Sequence, residues 1–238
     1  LQAGRPDLKI NILVPDVSSP TVGAAVALYG YLSAGHEVDI VGPDMGAGVC
    51  SMYRTAAPFR PVKCPRLYRL PDFIWQSRRL DALLDGDVIV SIKAYANTLP
   101  SALRVKKRRG SAVIVYLDEW DGAVYYQLSR SRRLGAWMRE WHHPMSEIYT
   151  PLVEKMIPSA DAVLSTTQFL RDKFGGYVIR MGVDCKKFCP QPEERVARLR
   201  KSLGLEGCRL IVFGGVARPH KGIELLLDAI CRVHSCKI

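Results

Sequence analysis

Short runs rich in Val and Ile alternate with stretches of helical periodicity along the whole chain, and this alternation restricts the fold more than any other feature. Residues 9–14 (KINILV) read as a first strand and residues 15–20 as a loop. Val22, Ala25, Val26, Tyr29 and Leu32 then recur at helical spacing until Gly35 stops the helix. Further strands are predicted over 38–41, closed by Gly42-Pro43, and over 87–92, 111–117, 161–167 and 177–181. Helices are predicted over 73–84, 100–109, 144–157 and 168–174. Continuous apolar strands separated by helices imply a parallel sheet covered on both faces, which is a doubly wound, Rossmann-like α/β domain.

The pattern changes near Asp184. Residues 185–192 carry two prolines and no periodicity, as an interdomain linker does. Alternation then restarts with a helix over 193–203, a strand over 209–213 and a helix over 222–234. The expected organisation is a first domain over 1–184, a linker over 185–192, and the incomplete start of a second Rossmann-like domain over 193–238. One strand between two helices cannot bury a core by itself.

Composition narrows the partners. The net charge of +11, from 34 Lys and Arg against 23 Asp and Glu, suits an anionic partner: a phosphorylated substrate, a membrane surface or nucleic acid. No nucleic-acid-binding signature accompanies the basic runs, which leaves nucleic acid as the outside alternative. Seven cysteines show no Cys-x2-Cys pair and no histidines at zinc-ligand spacing, so no metal site is expected. With no secretory leader visible, reduced thiols and a cytoplasmic location are expected. Residues 130–141 mix Trp137, Met138 and Trp141 with Arg130, Arg132, Arg133 and Arg139, a composition suited to an anionic membrane surface or to a core-facing helix with a basic outer side.

Two loops stand where a parallel sheet binds ligands, beyond the carboxyl ends of strands. The first, residues 15–23, ends on Gly23 and lacks both the Gly-x-Gly-x-x-Gly pattern and a Walker lysine. The second, FGGVARPHKG over 213–222, sets Gly214, Gly215, Arg218 and Lys221 between an apolar run and a helix, where backbone and cations can approach an anion. A third, Leu117-Asp118-Glu119-Trp120-Asp121-Gly122, puts three carboxylates and an indole after a strand. Its two readings are a sugar-hydroxyl site and a helix start capped by Asp118 or Asp121. His142 and His143 precede a proline with no acid at partner spacing and are expected to be structural.

IVFGGVARPHKGIELLLDAI, residues 211–230, closely resembles the opening of the second domain of glycosyltransferase family four, the retaining enzymes of GT-B fold. Residues 159–170, residues 179–184 with Phe188 and Pro190, and residues 32–43 resemble three earlier passages of that family, in the same order. The resemblance implies a UDP- or GDP-sugar as donor substrate, no cofactor, and metal-independent, hexosyltransferase-type transfer with retention to a glycan or lipid-linked acceptor. It implies Lys221 and Arg218 on the donor diphosphate, with Gly214 and Gly215 in the same loop and Gly23 admitting the first helix to the phosphates. Asp118 and Asp121 are the candidate catalytic pair. The chain departs from the family in carrying Val216 where many members have Arg, and in lacking the later Glu-x7-Glu segment. The expectation is an enzyme inactive without that part, located in the cytoplasm or at the inner face of the cell membrane. The alternative is a non-catalytic subunit completed by a second polypeptide or by self-association.

Overall fold

The computed structural model describes residues 7–46, 48–180, 182, 185, 188–215 and 221–232. The chain divides into two units, Leu1–Gly182 and Val183–Ile238.

The first unit is built on a parallel sheet of seven strands in the order β3-β2-β1-β4-β5-β6-β7. The strands are β1 (Lys9–Leu13), β2 (Glu37–Asp44), β3 (Phe59–Lys63), β4 (Val88–Ile92), β5 (Ala112–Leu117), β6 (Ala162–Ser165) and β7 (Tyr177–Val178). Its helices are α1 (Gly23–Leu32), α2 (Asp72–Leu83), α3 (Leu99–Arg109), α4 (Ala123–Gln127), α5 (Arg130–Glu140), α6 (Thr150–Glu154) and α7 (Gln168–Phe174). This is the doubly wound fold expected of a GT-B domain.

Three differences from the sequence expectation have local causes. Strand β3 (FRPVK) escapes the pattern because Pro61 interrupts it; the proline is tolerated because β3 is an edge strand. Strand β2 continues through Gly42 and Pro43, where a turn is expected, because β3 pairs with that stretch. The helix expected over 144–157 is a chain of short turns around α6, and the longer helix in this connection is α5, capped by Ser129 Oγ on the Arg132 N–H.

Right-handed crossovers fix which face each helix covers. From β3 onward the chain crosses towards β7, and these crossovers put α2, α3 and α7 on one face, where Leu80, Leu99, Ala102, Val105 and Leu170 pack on Leu13, Ile89, Val113 and Val115. The first crossover runs the other way and puts α1 on the opposite face, over Ile10, Ile12, Val38 and Ile40. Beyond α1, that face holds a cavity of about 320 Å³ lined by Val88, Val90, Ile114, Leu164 and Ile179 among others.

In the second unit, α8 (Glu193–Ser202) and α9 (Ile223–Cys231) are the helices among the described residues. None of the described residues in this unit is buried. Residues 209–213 form no strand here, contrary to the expectation: an apolar run becomes a strand only when a neighbour supplies its ladder, and none of the described residues pairs with it.

Candidate active-site rim

Strand order reverses between β1 and β4, so the loops beyond their carboxyl ends diverge and open a crevice. Asn97, fully buried in the loop after β4, ties the two loops together by donating Nδ2 to Pro15 O at 2.6 Å. Gly23 opens α1 beside this crevice. A Cβ at that position would stand 2.9 Å from the Tyr53 hydroxyl, so Tyr53 occupies the space that the missing side chain leaves.

The chemistry gathers one strand further along. Lys93 follows β4 immediately and is 4% exposed. Its Nζ donates to Asp121 Oδ1 at 2.9 Å and to Glu119 Oε1, and lies 3.3 Å from Asp118 Oδ1. Tyr95 donates its hydroxyl to the same Asp121 oxygen at 2.5 Å. Thus Asp118 and Asp121, singled out in the sequence, do come together, and the group that joins them is a lysine that sequence reasoning missed. Burial opposes the charge on Lys93, but Asp121 and the neighbouring carboxylates outweigh it and hold its pKa above the ordinary lysine value. Burial pushes the Asp121 carboxyl upward, opposed by Lys93 and Tyr95. Burial, reinforced by Asp121, raises the Tyr95 phenol and keeps it a neutral donor.

Lys93 has a left-handed backbone (φ 64°), unlike any other non-glycine residue among those described. Such a conformation persists only where its surroundings over-determine it. Here the Lys93 N–H donates to Tyr116 O at 2.9 Å, while Ser91 Oγ and Thr98 Oγ1 donate to Lys93 O at 3.0 and 2.9 Å. The strain turns the chain at the end of β4 and sets the ammonium under the loop that follows β5.

That loop is fixed from the other side too. Thr166, after β6, donates Oγ1 to Asp118 O at 3.0 Å. Gly122 donates its N–H to Glu154 Oε1 at 3.1 Å, and a Cβ on Gly122 would come within 2.3 Å of that oxygen. Burial raises the Glu154 carboxyl despite this hydrogen bond. Trp120 has Lys173 Nζ 3.9 Å from its ring centre, with Tyr126 and Phe169 rings at 5.6 and 6.0 Å. The Lys93 ammonium lies against all three carboxyl groups, and Asp118 Oδ1 accepts no hydrogen bond, beside the exposed rings of Tyr126 and Phe169. That combination suits neutral polyhydroxylated ligands, whose hydroxyls donate and whose C–H faces stack on rings.

The other sequence candidates lie in the second unit. Gly214 and Lys221 are exposed, and Gly222 begins α9 in a left-handed conformation (φ 74°). Gly215 is also exposed, while Arg218 and Val216 lie outside the described residues.

Residues 21–184 match a family described as glycosyl transferase 4-like domain. No curated protein matches the chain. Among solved structures, Anabaena Alr3699/HepE in complex with UDP-glucose is similar, with a TM-score of 0.65 and 14% identity over 94% of this chain. The same protein in complex with UDP and glucose gives 0.62 at 15% identity, again over 94% of this chain. At such identities the likeness speaks for the fold alone, and this chain spans 57% and 58% of those two chains. The match over 21–184, on a sheet of the expected topology, decides the family: the chain belongs to the glycosyl transferase 4-like domain family.

Proposed function

We propose that this protein works in the transfer of a sugar from a UDP- or GDP-sugar to a glycan or lipid-linked acceptor, with retention of configuration and without a metal ion. The observation that carries the reading is the carboxylate and aromatic loop 118–121, held by Lys93 at the carboxyl rim of a glycosyl transferase 4-like domain. In this reading Asp118, Glu119 and Asp121 accept hydrogen bonds from acceptor hydroxyls, and the aromatic surface around Trp120 takes a sugar face. Lys221 and Arg218 bind the donor diphosphate and stabilise charge that grows on the leaving group. The UDP and UDP-glucose in the HepE structures support a nucleotide sugar as donor.

Calorimetry with UDP and GDP tests the donor half. Charge-assisted contacts to phosphate are worth about 1.5–3 kcal/mol, so Lys221→Ala and Arg218→Ala should each weaken nucleotide binding roughly tenfold or more. Equal affinity in the wild type and both variants would remove the donor assignment.

A second reading is a glycosyltransferase-like subunit completed by another polypeptide or by self-association. The exposure of Val212 (83%) and Leu225 (75%) in the second unit favours it. Transfer assays on the isolated chain, paired with its sedimentation mass, separate the two: a monomer that transfers sugar unaided excludes the second.

A further inference from the structure

We propose that the face formed by the 66–71 turn, the first half of α2 and the length of α5 is a docking surface for an anionic lipid headgroup layer. Along α5 and its C-cap, Leu134, Met138 and Trp141 recur at i, i+4 and i+7 and so form one stripe. In a core-packed helix that stripe would be buried. Here it faces out, with exposures of 63%, 69% and 58%, and Ala136 is the buried residue of the helix.

A second exposed group stands beside it. Trp75 in α2 is 62% exposed, Ile74 46% and Tyr68, just before the helix, 38%. The two groups are joined through the backbone and through a ring stack. Leu70 donates its N–H to His142 O at 2.9 Å, and His143 Nδ1 lies 3.1 Å from Tyr68 O. The Tyr68 and His143 rings stack at 6.1 Å. The stretch flagged in the sequence at 130–141 is therefore half of a surface whose other half comes from residues far away in the chain.

Charge decides what this surface fits. Residues 66–79 and 130–141 hold eight arginines against two acids, Asp72 and Glu140. Both acids are engaged, Asp72 beside Arg66 at 3.8 Å and Glu140 with the Ser146 hydroxyl. Arg132 and Arg139 stand on the side of the buried Ala136 and Arg133 donates to the Tyr125 and Tyr126 carbonyls, which leaves Arg66, Arg69, Arg78, Arg79 and Arg130 for this face. Several arginines lie against the rings themselves: Arg69 is 5.4 Å from the Tyr68 centroid and Arg78 5.6 Å from that of Trp75. The core of a protein–protein interface is depleted of charge, whereas here cations and apolar side chains interleave. Nucleic acid would use the arginines and the rings but gain nothing from Leu134 and Met138. An anionic membrane surface uses all three: phosphates pair with guanidinium groups, indoles sit at headgroup depth, and Leu and Met reach the acyl boundary. Among the described residues no helix is long and apolar enough to cross a membrane, so the contact is with the surface.

The test is flotation of the full chain with phosphatidylcholine vesicles, with and without about one-third phosphatidylglycerol. The wild type should partition onto the anionic vesicles at least ~10-fold more strongly than onto neutral ones, and lose this at high salt. Trp75→Ala with Trp141→Ala should abolish flotation while leaving the melting temperature unchanged, as should Arg78→Glu with Arg130→Glu, the arginine against Trp75 and the one a helical turn before Leu134. Arg198→Glu with Lys201→Glu on α8 makes the same change in net charge elsewhere and should leave flotation intact. Flotation that survives the tryptophan pair, or falls equally with the α8 pair, overturns the proposal in favour of general charge attraction. So does a tryptophan pair that converts a dimer to a monomer without altering lipid binding, since a second copy would then own the surface.

Discussion

Lys93 is a buried ammonium on a left-handed backbone at the end of β4. Its ammonium lies against three carboxyl groups, two of which keep little solvent: Asp121 is 13% and Asp118 25% exposed at the side chain. Removing one partner of a buried ion pair leaves uncompensated charge, and such changes cost about 3–5 kcal/mol. Lys93→Met should therefore destabilise the first unit by about 3 kcal/mol or more in urea denaturation. Adding Asp121→Asn should return part of that loss, because the second change removes one of the stranded charges. Gly122 gives a sharper steric test. Gly122→Ala must displace Glu154 and should cost about 1–3 kcal/mol, with a change in Trp120 fluorescence; Glu154→Ala in the same chain should restore stability. The sequence made Asp118 and Asp121 visible, since three acids and a tryptophan after a strand are unusual. Lys93 was hidden because nothing in SIKAYANT signals a left-handed lysine; only the pairing of β4 with β5 sets it beneath the loop.

At the level of elements, the amino ends of the strands are held by charge while their carboxyl ends carry the site. Asp85, before β4, receives Arg60 of β3 at 2.8 Å and Lys9 of β1 at 3.0 Å. The Arg60 hydrogen bond, with Lys9 beside it, holds the Asp85 carboxyl well below its ordinary value of 3.8, against an opposing push from burial. A depressed folded-state pKa gives stability that is present above the unfolded value and lost as pH falls through the folded one. Asp85→Asn should therefore be less stable at neutral pH, by no more than about 1 kcal/mol at a partly exposed site. The deficit should begin to shrink at pH 3.8 and close progressively as the pH falls further towards the folded value. Thermal melts across that range read it directly; a deficit that persists in acid would mean that packing, not charge, links these strands. Most of these elements were legible because apolar periodicity is a property of each segment alone. Strand β3 was not, being a proline-bearing edge. At 130–141 the sequence left a core-facing helix and a membrane-surface stretch both open, because α5 turns its apolar stripe outward, against the rule that periodicity marks the core.

For the whole molecule, the two units differ in how their sequences become structure. The first encloses two apolar layers around its sheet, and its fold could be read from local patterns because each crossover brings the partner that the next strand needs. In the second, the pattern at 209–213 is as strand-like as any in the first, yet it pairs with none of the described residues. The chain spans 57% of the HepE chain with which it shares a fold, and the proposed acceptor rim lies at the carboxyl edge of the first unit. In the proposed function this rim recognises sugar hydroxyls through the loop that Lys93 holds. The most direct measurement is saturation-transfer NMR of the chain with glucose and N-acetylglucosamine, for the wild type and for Asp118→Asn with Asp121→Asn. Recognition by this rim should give saturation transfer to at least one of these sugars in the wild type and its loss in the double variant, at temperatures where both are folded. Transfer of equal strength in the two proteins, or none in the wild type, would contradict it.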